Sequence, residues 1–225
     1  MERIGLALAV HDFIPVLVAG VGLWRVTAWL SFRNTSAGRA AALGTALVVA
    51  AGVAKAGSKL VAALTGGSPP AVLDAALFPL MAPGMVLMAV AVLTGLSTRR
   101  PDRAVVSLTW AVPVAVWAPS GVVAVWNGWA GSKAVLIALT TIGNVVLCVA
   151  LTQRARAHGL RLPAALFMVN LAIVIALAGL ARAVEQTVPV QWVEQNVNLA
   201  AQLAFLVAAT GLLRARPADQ NGRLR

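Results

Sequence analysis

The chain has 225 residues, of which 60% are apolar and 11% are charged, whereas a soluble domain carries about a quarter charged residues. This composition excludes an ordinary soluble domain and predicts a membrane protein. The net charge of +11 would favour nucleic-acid binding in a soluble protein. Here the basic residues lie between apolar stretches, so we expect no nucleic-acid partner. The single cysteine, Cys148, excludes a disulfide framework.

Seven apolar stretches are long enough to cross a bilayer, which takes about 20 residues of helix. They cover residues 4–24, 40–64, 71–97, 104–126, 133–152, 162–183 and 191–213. Turn-forming residues such as Asn127-Gly128 and Pro189 separate them. We therefore predict an all-α fold: a bundle of seven transmembrane helices in one domain, 1–214, followed by a polar basic tail, 215–225. The polar residues His11 and Asp12 in the first stretch argue against a cleaved signal peptide.

Lys and Arg residues concentrate in alternate loops, and short cytoplasmic loops hold the excess. Thirteen fall on one side and five on the other. The larger group is Arg25, Arg33, Arg39, Arg99, Arg100, Arg103, Arg154, Arg156, Arg161, Arg214, Arg216, Arg223 and Arg225. This bias predicts a multi-pass protein of the cell (plasma) membrane with its N-terminus outside and its C-terminus in the cytoplasm. Trp24 and Trp29 should then lie near the inner interface.

A polar stripe marks the seventh stretch, where polar residues recur at three- and four-residue steps: Gln191, Glu194, Gln195, Asn198 and Gln202. A carboxylate or amide facing hydrocarbon costs several kcal/mol, so the stripe should face the bundle interior. We place Glu194 and Asn198 at the centre of the predicted site, with Gln202 extending it toward the midplane. The alternative is that the stripe only bonds neighbouring helices together.

The other ionisable residues gather in the predicted outer half: His11, Asp12, Lys55, Lys59, Asp74, Arg182 and Glu185. Lys55 and Lys59 are one helical turn apart, and neither should lie deep without a carboxylate or water. We expect Lys55 to pair with Asp12 or Glu194. In the alternative, Lys59 reaches the outer headgroups and only Lys55 points inward. The predicted ligand-binding cavity is lined by Asp12, Lys55, Lys59, Asp74, Glu194, Asn198 and Gln202.

Prolines in several stretches predict bent helices. Pro15 cannot donate a hydrogen bond to the carbonyl of His11, which leaves a kink beside two titratable side chains. Pro79 and Pro83 should bend the third stretch in the same way. Four polar residues of the fifth and sixth stretches are expected to make helix contacts: Thr141, Asn144, Cys148 and Asn170.

Three functions fit these features. The first is a transporter-like protein whose outward-facing polar cavity takes a small polar or zwitterionic solute. The second is an intramembrane enzyme that acts on a lipid or isoprenoid substrate, with His11, Asp12 or Glu194 as general acid or base. The third is a membrane sensor or assembly subunit in which the same residues bind a partner helix; a homo-oligomer is also compatible with the sequence.

No cofactor or metal is expected. The seventh stretch has no lysine at its middle, so the retinal Schiff base of a microbial rhodopsin is missing. Two histidines supply neither a histidine-rich metal site nor a pair of haem ligands. The expected partners are the lipid bilayer and a small polar solute or lipid substrate.

Overall fold

The computed structural model describes residues 5–95, 102–185 and 187–215, and these residues form helices and turns without a strand. The helices are α1 Leu6–His11, α2 Phe13–Ser31, α3 Thr35–Thr65, α4 Ala71–Ala75, α5 Leu77–Gly95, α6 Asp102–Ala157, α7 Arg161–Ala183 and α8 Val188–Arg214. Within the described ranges, six helical segments are long and apolar enough to cross a membrane. The predicted all-α membrane fold is confirmed at this level.

Some predictions fall outside the described residues. The tail predicted at 215–225 is described only at Ala215, and the basic loop that includes Arg99 and Arg100 is not described. The same holds for the side chain of Arg182.

α6 consists of two helices that meet across a kink at Gly128, whose backbone angles are φ 68° and ψ −174°. Only glycine adopts this region readily, because a Cβ atom would clash with the backbone. The kink lies at the Asn127-Gly128 turn that the sequence predicts. On either side of it, Val116 and Leu136 belong to one buried cluster with Ala82 of α5.

Prolines remove backbone hydrogen bonds of the helices at two further places. Asp12 separates α1 from α2, three residues before Pro15, as the missing N–H of Pro15 predicts. In α5, Pro83 cannot donate to the carbonyl of Pro79 four residues earlier. The indole N–H of Trp117 on α6 donates to that carbonyl instead, at 2.8 Å. A neighbouring helix therefore replaces a hydrogen bond that the proline removes.

The long helices pack in a ring in which α2 contacts α3, α3 contacts α5, α5 contacts α6, α6 contacts α7, α7 contacts α8 and α8 returns to α2. Glycines allow the closest approaches. A Cβ on Gly44 of α3 would lie 2.8 Å from the carbonyl oxygen of Gly84 on α5. A Cβ on Gly143 of α6 would lie 2.9 Å from the backbone of Met85. Small residues at these crossings bring α5 against both neighbours.

The two tryptophans predicted near the inner interface differ in their burial. The side chain of Trp29 is 3% exposed and belongs to the main core cluster, whereas Trp24 is 58% exposed. The reason is that α2 continues to Ser31, seven residues beyond the predicted end of the first stretch at residue 24. The extra turns carry Trp29 into contact with the other helices.

Alanine at Gly128 should destabilise the protein by about 1–3 kcal/mol, because a positive φ is strained for a residue with a Cβ atom. Gly121 is a matched control, since a Cβ at either glycine meets no atom within 4 Å but only Gly128 has a positive φ. Gly121→Ala should leave stability unchanged or raise it slightly. Thermal unfolding of the purified variants in detergent measures both effects, and equal melting temperatures would contradict the assigned kink.

Candidate functional site

A cavity of about 490 Å³ lies within the ring of helices. Its walls come from α2, α3, α5, the second half of α6, α7 and α8. Most of the lining is apolar, and its polar side chains are Thr140, Thr141, Asn144, Asn170, Asn198 and Gln202. Over the described parts of the chain, no ionisable side chain lines the cavity. A largely apolar cavity of this size with a few polar groups is typical of small-molecule sites.

Asn198 and Gln202 form the polar wall on α8. They are four residues apart and therefore share a face of the helix. The side-chain amide of Gln202 donates from Nε2 to Oδ1 of Asn198 at 3.2 Å. This bond does not use Nδ2 of Asn198 or Oε1 of Gln202. The pair can thus offer one donor and one acceptor to a ligand.

Asn170 of α7 forms hydrogen bonds with two other helices beside the cavity. Its Nδ2 donates to the carbonyl oxygen of Ala201 on α8 at 2.9 Å. Its Oδ1 accepts from the thiol of Cys148 on α6 at 3.7 Å, and that thiol also lies 3.6 Å from Oδ1 of Asn144. The helix contacts predicted for Cys148 and Asn170 are therefore confirmed, whereas the bond of Asn144 lies within α6. Both asparagines line the cavity as well.

The two lysines of α3 form separate ion pairs. Lys59 lies 2.5 Å from Oδ2 of Asp12, and the two side chains are only 19% and 5% exposed. Lys55 pairs with Asp74 of α4, where the side chains are 39% and 45% exposed. The prediction that Lys55 pairs with a carboxylate is confirmed, but the partner expected for it, Asp12 or Glu194, is wrong. The short helix α4 brings Asp74 to Lys55, and Asp12 at the start of α2 meets Lys59 one turn farther along α3.

The predicted site residues do not all lie at the cavity. Asn198 and Gln202 line the cavity, whereas Asp12, Lys55, Lys59, Asp74 and Glu194 are not among its lining residues. Glu194 lies one helical turn before Asn198 on α8.

The catalytic candidate His11 also lies outside the cavity lining, next to Asp12 of the Asp12–Lys59 ion pair. Its ring stands 5.3 Å from the ring of Trp192 on α8, measured between centroids. Nδ1 of His11, Oδ1 of Asp12 and Oγ of Ser58 are buried without a hydrogen-bond partner in the described chain. An acid or base here would be separated from the cavity by about one turn of α2 or α8.

The sequence did not single out most of the cavity lining. Thr140 on α6 and the apolar residues Val16 and Phe78 contribute to it. Met81 and Met85 also line it, and the prolines near them in the sequence are the signal that indicated α5 as a possible wall of a substrate path. Other apolar residues of a membrane bundle carry no such mark.

No protein-family model, curated protein or solved structure matches the chain. Function is therefore inferred from the chemistry of the cavity. Within the described ranges, no three His, Cys, Asp or Glu side chains come together in a group that could hold a metal ion.

Removing Lys59 should destabilise the protein more than removing Lys59 and Asp12 together. Lys59→Met leaves a buried carboxylate without its cation and should cost about 3 kcal/mol, while the double variant Asp12→Asn/Lys59→Met should recover at least half of that loss. Lys55→Met is the matched control on the same helix, and its more exposed pair should be worth about 1 kcal/mol or less.

A double-mutant cycle measures the coupling between Asp12 and Lys59. It compares the unfolding in detergent of the wild type, Asp12→Asn, Lys59→Met and the double variant. Losses from Asp12→Asn and Lys59→Met that simply add would show that the two side chains do not form a pair.

Proposed function

We propose that the chain crosses the membrane seven times, with its N-terminus outside and its C-terminus in the cytoplasm. The longest apolar segment, Thr109–Ala157, has 49 residues, and a straight helix of that length would span about 74 Å against a hydrocarbon core of about 30 Å. Val116 and Leu136 share a cluster with Ala82, although 20 residues of straight helix would separate them by about 30 Å. Both observations favour two crossings within α6.

The basic end of the bundle supports the same count. Burial, and next the charge of Arg154, lower the pKa of Arg33, so the turn after α2 and the last turn of α6 lie near one another. Between these two points the chain runs through α3, α5 and α6. An even number of crossings returns the chain to the same end, and this favours two crossings by α6.

Single cysteines and a membrane-impermeant maleimide test this topology in intact cells. Gly67→Cys and Asn127→Cys should react from outside, whereas Thr35→Cys and Ala157→Cys should react only after the cells are permeabilised. The wild type is the control, because its one cysteine, Cys148, is buried. Labelling of Asn127→Cys only after permeabilisation would overturn the seven-crossing topology.

We propose that the central cavity binds a small, uncharged and largely apolar molecule that carries one or two hydrogen-bonding groups, and that the protein is a carrier for it. The observation that supports this best is the lining itself: amides and hydroxyls within an apolar wall, without an ionisable group among the described lining residues. A hydroxyl or carbonyl group of the ligand would bond to Asn198 and Gln202. The apolar remainder would pack against side chains such as Met85 and Phe205.

A charged ligand fits this cavity less well. Moving an ion from water into apolar surroundings is costly unless a counter-charge and hydrogen bonds compensate. The residues that could supply counter-charges to a zwitterion, Lys59 and Asp12, already pair with one another outside the cavity. The geometry therefore favours a neutral molecule over the zwitterionic solute that the sequence suggested.

Prolines in the helices around the cavity favour a carrier over an enzyme. Pro15 of α2 lines the cavity and Pro83 lies within α5, and helices interrupted by proline commonly line transport paths. The acid–base candidates His11, Asp12 and Glu194 are not lining residues. A reaction on a ligand in the cavity would therefore lack a proton donor or acceptor beside it.

Two probes of opposite character test the proposed ligand chemistry in detergent-purified protein. Farnesol, which has an apolar body and one hydroxyl group, should raise the melting temperature, whereas the zwitterion glycine betaine should not. Asn198→Leu should raise the farnesol concentration for half-maximal shift by about fivefold or more, because one hydrogen bond is worth about 1 kcal/mol.

Asn196→Leu is the matched control, since Asn196 is exposed on the same helix and its Nδ2 donates to the carbonyl of Trp192 within that helix. It should respond to farnesol as the wild type does. A farnesol response that Asn198→Leu leaves unchanged, or a betaine response that it abolishes, would contradict a neutral ligand in this cavity.

A further inference from the structure

Three nitrogen-bearing side chains come together at the basic end of the bundle, opposite the Asp12–Lys59 pair. Arg33 lies in the turn between α2 and α3, Arg154 in the last turn of α6 and His158 just after it. Burial, followed by the charges of Arg154 and Arg33, lowers the pKa of His158. Trp29 and Leu30 near Arg33 and Ala155 next to Arg154 belong to the same buried cluster, which places the two arginines at the same end of the bundle. Like charges in this region repel one another.

Two features orient the guanidinium groups of this cluster. The guanidinium of Arg33 lies over the ring of the buried Trp29, 5.3 Å from its centroid, in a cation–π contact. Nε of Arg154 is buried and has no hydrogen-bond partner in the described chain. The Nε–H group of Arg154 is therefore unused, and a planar guanidinium is suited to bind an oxyanion through two parallel hydrogen bonds.

The four carboxylates whose side chains the structure describes lie elsewhere. Asp12 and Asp74 pair with lysines of the second half of α3. Glu185 lies between α7 and α8, and Glu194 lies in the first half of α8. None of these four side chains is among the charges that act on Arg33 or His158. An anion from outside the described chain would therefore relieve the repulsion within the cluster.

We propose that Arg33, Arg154 and His158 form a binding site for a phosphate group, and that this phosphate belongs to the headgroup of an anionic membrane lipid. Exposed apolar side chains flank the cluster: Phe32, next to Arg33, is 59% exposed, and Leu162, in the first turn of α7, is 65% exposed. Acyl chains would cover these surfaces, whereas a free phosphate would not. The site is independent of the ligand in the central cavity.

Lipid-dependent melting of the full-length protein in a non-ionic detergent tests this site. Phosphatidylglycerol should raise the melting temperature of the wild type by about 3–6 °C more than phosphatidylcholine at equal concentration, as expected for a ligand at about tenfold its Kd. Arg33→Gln and Arg154→Gln should each remove most of this difference. Arg25→Gln and Arg156→Gln should retain it, because these exposed arginines are not among the charges acting on the cluster.

Two further measurements distinguish a lipid phosphate from a free phosphate and allow for variants that unfold. Sodium phosphate that produced the same shift, with the same dependence on Arg33 and Arg154, would show that the site takes a free phosphate rather than a lipid. If the glutamine variants unfold during purification, native mass spectrometry of Arg33→Lys should show fewer retained phosphatidylglycerol molecules than Arg25→Lys. An equal response to both lipids, or an equal loss in Arg25→Gln and Arg33→Gln, would overturn the proposal.

Discussion

The arrangement of the bundle depends on the high cost of leaving a polar group unpaired in a low-dielectric interior. The contact between Lys59 and Asp12 shows this most clearly, since both side chains are largely buried and the two opposite charges meet directly. With these charges paired at one end, the middle of the bundle can remain neutral. The arginines collect at the other end, where burial and then the charge of Arg154 lower the pKa of Arg33.

The same constraint explains how the helices can bend without losing stability. Pro83 leaves the carbonyl of Pro79 without its helical donor, and Trp117 supplies one from α6. Near the basic end, the hydroxyls of Thr27 and Thr45 bond across α2 and α3 at 3.0 Å, and Thr45 lies 3.5 Å from the sulfur of Met88 on α5. Polar side chains in the core thus connect neighbouring helices, and the amides that remain line the cavity.

The helical fold and its interruptions could be predicted because they depend on local sequence. Apolar stretches of sufficient length require helices in a bilayer, and Pro15 and Gly128 act on the backbone within a few residues of themselves. The stripe on α8 identified Asn198 and Gln202 as cavity residues for a similar reason: a spacing of four residues places them on one face. These inferences needed no knowledge of how the helices pack.

The ion pairs and the neutral character of the cavity could not be predicted in this way. Periodicity assigns a residue to a helix face but does not show how far a cavity extends along it, so Glu194 was grouped with Asn198. The partners of Lys55 and Lys59 depend on where α4 lies and on how α1 meets α3. Both are results of tertiary packing, and three carboxylates were available to two lysines in the sequence.

The most direct test of a neutral central cavity is the identity of the molecule that the protein carries in its own membrane. Protein purified in mild detergent can be extracted with organic solvent, and the released molecules compared by mass spectrometry between the wild type and Asn198→Leu. The account predicts an uncharged, largely apolar molecule with one or two hydrogen-bonding groups that is depleted in Asn198→Leu. Release of a zwitterion or an ion that depends on Asn198 would contradict it.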